Sequence, residues 1–141
     1  IDFRGERSIG LYTYLPNPST VKLKSNRPMI NKGIVIKFNA AQHYTTDAVS
    51  CAVFRDLCES NDIPVQVFTN RSDTRGGSTL GNVSNAHVSL NTVDIGLAQL
   101  AMHSCYETVG ARDTKHLVDA MTVFYSKTFR VDAGGSFELL D

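Results

Sequence analysis

The sequence of 141 residues has no surplus of charge of either sign: Lys plus Arg and Asp plus Glu both number 14. Without a net field there is no sequence-wide attraction to nucleic acid or to an anionic membrane surface, so neither is expected as a partner. Cysteine is scarce, with three residues at Cys51, Cys58 and Cys105. An odd number at spacings that fit neither a disulfide framework nor a CxxC metal knuckle argues for reduced thiols and a cytoplasmic location. Cys51 and Cys58 fall in an apolar, helix-prone stretch and read as small core hydrophobes. No apolar run approaches the ~20 residues that span a bilayer, and no basic-then-apolar leader opens the sequence, so neither a membrane span nor export is expected. Repeats of about 20–50 residues are missing too, which removes solenoids and propellers. So are a P-loop, a G-x-G-x-x-G run after a strand and a G-x-S-x-G elbow at Ser72, Ser78 or Ser104. Nucleotide-binding and serine-hydrolase readings have little support.

What is present fits one compact domain over 1–141, since 42% of residues are hydrophobic and 20% charged. Three zones can be distinguished. Residues 1–15 hold two short alternating runs around Arg4-Gly5-Glu6-Arg7, and 16–28 form a connection rich in Pro, Asn, Ser and Lys. From Gly33 the texture becomes regular. Ile34-Val35-Ile36-Lys37-Phe38 predicts a buried strand. Thr45 or Thr46 can cap a helix whose face carries Val49, Val53 and Leu57, with Ala48 and Ala52 beside them. Val65 to Thr69 predicts a second strand, Gly76-Gly77 a break, residues 80–87 a short helix, and Val93 to Leu97 a third strand. Asp113-Thr114 can cap a last helix bearing Leu117, Met121 and Phe124. Phe129-Arg130-Val131 and Phe137-Glu138-Leu139, flanking Asp132 to Gly135, predict a hairpin within a C-terminal segment 128–141. The alternation of strands and helices argues for an α/β fold with a mostly parallel sheet flanked by helices.

Few residues could carry chemistry. His103 follows an apolar strand and loop and precedes Ser104-Cys105-Tyr106-Glu107, where a helix could begin. Its imidazole could ligate zinc or serve as a hydrogen-bonded structural group. Gly76-Gly77-Ser78-Thr79 could present backbone N–H groups at a helix start to a carboxylate or oxyanion, or could be a tight turn. Lys37 interrupts an apolar strand, so its ammonium must reach an edge or meet a buried anion. Asp73 sits between Arg71 and Arg75, where local ion pairing is the simplest account. Asp94 ends a predicted strand and reads as a cap at least as readily as a ligand contact, so it stays outside the site. His43, His87 and His116 have no partner at metal-site spacing and read as surface or capping residues.

Four runs together make a long signature: Lys32-Gly33-Ile34-Val35-Ile36-Lys37-Phe38-Asn39, Tyr44-Thr45-Thr46-Asp47-Ala48-Val49-Ser50, the Gly-Gly-Ser-Thr turn, and Ala101-Met102-His103-Ser104. Over roughly residues 16–127 the chain resembles the C-terminal part of the catalytic domain of the aspartyl aminopeptidase family of zinc exopeptidases. The resemblance implies a two-zinc centre with His103 as its last protein ligand. It implies substrate contacts from Lys37, including acidic N-terminal side chains, and from the loop Gly76, Gly77, Ser78 and Thr79. It also implies a peptide substrate and a homo-oligomeric assembly. The other ligands and the general-base glutamate of that family have no counterpart in this sequence. One aspartate ligand aligns with Ile9, whose alkyl side chain cannot bind zinc. The expectation is therefore a zinc aminopeptidase by resemblance with an incomplete metal site in this chain, or a non-catalytic peptide-binding or assembly module derived from that family.

Overall fold

A computed structural model describes residues 26–70, 73, 77–89, 91–134 and 136–140. The segment 1–25, including Ile9, and the residues Arg71, Arg75 and Gly76 lie outside these described residues.

Strand β1 (Ile34–Phe38) is the middle of a three-stranded sheet in which β2 (Val65–Thr69) and β3 (Ile95–Gly96) are its neighbours. β2 runs parallel to β1, with Ile34 opposite Val65 and Phe38 opposite Thr69. β3 runs antiparallel, with Val35 opposite Gly96 and Ile36 opposite Ile95. The sheet is thus mixed, which corrects the expectation of a mostly parallel one. The physical reason lies in the connection. α1 (Ala48–Glu59) carries the chain back along the sheet between the parallel strands, whereas after α2 (Leu80–His87) the next strand opens at the end where β2 finishes. The chain then enters β3 from that same end and must run the opposite way.

α1 begins one or two residues later than the threonines suggest. Asp47 is its N-cap: the carboxylate accepts from the Ser50 amide at 2.7 Å, and the Ser50 hydroxyl accepts from the Asp47 amide at 3.0 Å. That reciprocal pair satisfies two amides that the first turn leaves over. The inward face is also rotated from the expected one, burying Ser50, Phe54, Leu57 and Cys58 while Val49 is exposed. α3 (Ala111–Ser126) starts after Gly110 and buries Ala120 and Phe124, with Leu117 and Met121 packed at the rim of the core. Asp113, expected as a cap, instead lies inside the first turn and is fully buried. Its carboxylate accepts from the amides of Asn31 at 2.6 Å and Gly33 at 2.8 Å.

The main core lies on the β1 face that carries Ile34 and Ile36, where Phe54 and Leu57 of α1 meet Ala120 and Phe124 of α3. The opposite face is thinner and joins Val35 to Phe68 and Ala98. Strand alternation puts Lys37 on this second face. The expected hairpin forms from β6 (Thr128–Val131) and β7 (Phe137–Leu140), and Phe129, Phe137 and Leu139 pack against the core. Residues 101–107, where a helix start was expected, instead link the short antiparallel strands β4 (Gln99–Leu100) and β5 (Thr108–Val109).

Candidate functional site

Lys37 occupies the carboxyl end of the central strand, the end at which open α/β sheets gather ligands. It is only 2% exposed. Of the two fates open to such a lysine, the structure takes the buried one: Nζ lies 2.7 Å from Asp94 Oδ1 and 4.7 Å from the centre of the Tyr44 ring. Burial pulls its pKa below the ordinary lysine value of 10.5, and the Asp94 charge and hydrogen bond pull the other way.

Asp94 is held from several sides. Its backbone oxygen accepts from the Lys37 amide at 2.9 Å, extending the ladder between β1 and the chain that enters β3. Its amide donates to the Thr46 hydroxyl at 2.7 Å, which explains why Thr46 does not cap α1. Its second carboxylate oxygen accepts from the Thr79 hydroxyl. Thr79 is the N-cap residue of α2, yet it makes no side-chain capping bond; its hydroxyl is turned instead to donate to Asp94. The first turn of α2 is thus left without a side-chain cap beside the exposed Gly77 and Ser78. A helix start of this kind carries outward-facing amides and the positive end of the helix dipole, a suitable receptor for a carboxylate or oxyanion. α2 approaches the α1 lead-in closely at Gly81, where a Cβ would come 3.0 Å from Thr45 Oγ1.

Lys37 and Thr79, both singled out in the sequence, are therefore joined through a residue that was set aside. The contacts of Asp94 were not legible because an aspartate at a strand end has many uses. The signal that could have found them was the lysine: a cation in an apolar strand requires a buried anion, and Asp94 opens the adjoining strand. Gly77 and Ser78 adjoin this cluster in the chain, whereas Gly76 lies outside the described residues.

His103 lies in the connection between β4 and β5. It is exposed, has a φ of 67°, and its amide donates to the Glu107 carboxylate within that connection. A protein zinc site takes three or four donors. Among the described residues, no group of three or more His, Cys, Asp or Glu side chains is placed to hold a metal ion. The donors among the described residues do not by themselves fit zinc, and no chemical step is routed through one. Of the remaining histidines, His43 and His87 are exposed as expected, but His116 is half-buried, with Nδ1 3.7 Å from Asp113 Oδ1. The cysteines carry no bridge: Cys58 is buried, Cys51 half-buried and Cys105 exposed.

Comparison with known proteins gives a consistent result. Residues 11–125 match the family described as aminopeptidase I zinc metalloprotease (M18). A probable M18 family aminopeptidase 2 from Clostridium novyi (strain NT) is 46% identical over 111 residues, covering 79% of this chain and 26% of that protein. The chain thus spans about a quarter of the length of such relatives. Among solved structures, the cryo-EM structure of the Ape4 and Nbr1 complex superposes with a TM-score of 0.74 at 36% identity, over 82% of this chain and 22% of the other. The S. cerevisiae mApe1 dodecamer superposes with a TM-score of 0.67 at 29% identity, over 82% and 26%. Among the described residues, no helix is long and apolar enough to cross a membrane.

Proposed function

This chain belongs to the aminopeptidase I zinc metalloprotease (M18) family, and from that premise we propose that it forms the C-terminal part of a zinc aminopeptidase catalytic domain that binds the N-terminal end of a peptide. The observation that carries this reading is the start of α2. Its N-cap hydroxyl is drawn away to Asp94, so that the uncapped first turn and the adjoining Gly77 and Ser78 can receive a carboxylate or oxyanion of substrate. In this reading the buried Lys37–Asp94 pair stands behind the turn and holds it in place, and a preference for acidic N-terminal residues is what the family resemblance implies. His103, on an exposed turn, offers one donor to a zinc centre whose other ligands and general base lie outside the described residues. Assembly into a homo-oligomer, supported by the dodecamer of the mApe1 relative, and a cytoplasmic location complete the proposal.

A second reading is favoured because, among the described residues, no group of three or more His, Cys, Asp or Glu side chains is placed to hold a metal ion: a non-catalytic module that keeps the turn as a peptide-binding or assembly surface. Metal content and turnover separate the two. The aminopeptidase reading expects zinc bound to the purified protein and release of the chromophore from an aspartyl or glutamyl amide, abolished by a chelator. It further expects His103→Ala to lower zinc content while leaving the melting temperature of the metal-free protein in place. Absence of both zinc and turnover, with retained peptide binding, would establish the module instead.

A further inference from the structure

Asp94 is the residue of the cluster that touches every other element of it. Its main chain bonds β1 through the Lys37 amide and the α1 lead-in through the Thr46 hydroxyl. Its two carboxylate oxygens divide their partners, one taking the Lys37 ammonium and the other the Thr79 hydroxyl. A carboxylate 5% exposed cannot turn toward solvent for a substitute partner, so each bond constrains the others. None of the residues of α2 is buried, and Leu80 and Val83 are exposed. The close approach of Gly81 to Thr45 and the bond from Thr79 to Asp94 are its anchors at the N-terminal end.

We propose that Asp94 is a positioning residue for the peptide site, fixing the Gly77–Thr79 turn and the start of α2 against the Lys37 end of β1 through the Thr79 hydroxyl. The inference rests on the reading of that turn as a peptide site. It adds a residue that bears no contact with substrate but sets where the receiving amides stand. Because Thr79 makes no capping bond, replacing it by valine removes the tie to Asp94 and takes no side-chain cap from the helix.

The test uses the isotopically labelled chain, with Thr79→Val, Thr79→Ser, Asp94→Asn and the double variant Asp94→Asn/Thr79→Val. Loss of one buried hydrogen bond is expected to speed amide exchange across Leu80–His87 by about tenfold in Thr79→Val, with α3 amides unchanged. Thr79→Ser, which keeps the hydroxyl, should exchange as the parent does. The double variant should show no further increase over Thr79→Val within Leu80–His87, since once the hydroxyl is gone the side chain at position 94 has no bond to α2 left to lose. Titration with the tripeptide Asp-Ala-Ala should shift the Gly77 and Ser78 amides in the parent and in Thr79→Ser, and at least about fivefold more weakly in Thr79→Val. Exchange across α2 that is the same in Thr79→Val and the parent overturns the role of Asp94, whatever the peptide does. Should Asp94→Asn fail to fold, the valine and serine variants decide the matter alone. A parent chain whose Gly77 and Ser78 amides ignore the peptide, while exchange follows the expected pattern, overturns the peptide-site reading and upholds the tie between Asp94 and α2.

Discussion

At the scale of single residues, burial acts on Lys37 and Cys58 with opposite consequences for charge. For Lys37 the loss of water disfavours the ammonium, and Asp94 restores part of what burial takes away. For Cys58 burial pushes the thiol from 9.0 up to about 12, with the neighbouring Glu59 adding to the rise. The folded thiol thus holds its proton where the unfolded one has released it. Its contribution to stability is complete below about pH 9 and is lost as pH rises towards 12. Denaturant midpoints measured across that interval should fall with pH, and less steeply in Cys58→Ala. In the native chain at pH 8, a thiol reagent should modify the exposed Cys105 first and leave Cys58 intact until unfolding. The buried character of Cys58 was legible in the sequence, because a cysteine among apolar helical residues has little alternative. Asp94 was not, since its role depends on which strand lies beside Lys37, and that is a property of the sheet.

At the scale of elements, α1 shows how local chemistry competes with tertiary demand. Three consecutive residues, Thr45, Thr46 and Asp47, are all able to cap a helix. The Thr46 hydroxyl is claimed by the Asp94 amide, and Asp47 takes the cap with Ser50. Asp47→Ala should therefore destabilise the chain by about 1 kcal/mol in urea unfolding, whereas losing the Thr45 hydroxyl should leave the α1 cap untouched. The strands at 34–38 and 65–69, the helix at 80–87 and the closing hairpin were all legible, because each has a dense apolar or turn signal within a few residues. The direction of β3 was not. Helix–strand alternation suggests a crossover, and only the register shows that β3 enters at the end where β2 leaves. His103 likewise looked like the prelude to a helix, but the segment pairs β4 with β5 and turns between them at positive φ.

At the scale of the whole molecule, Asp113 is the counterpart of Asp94 at the other end of the sheet. It joins the first turn of α3 to the segment leading into β1, and the approach is tight enough that a Cβ on Gly110 would lie 2.5 Å from Asn31 Oδ1. Asp113→Ala would leave two amides with no acceptor, each worth about 1–3 kcal/mol, so a loss of about 3 kcal/mol or more is expected in equilibrium unfolding. Asp113→Asn, which retains one acceptor oxygen, should lose less. The distance along the chain between these partners, 82 and 80 residues, has a further consequence during synthesis. The amides of Asn31 and Gly33 emerge from the ribosome long before the carboxylate that receives them, so the leading strand must wait, open to solvent or to a chaperone, until the start of α3 has been translated.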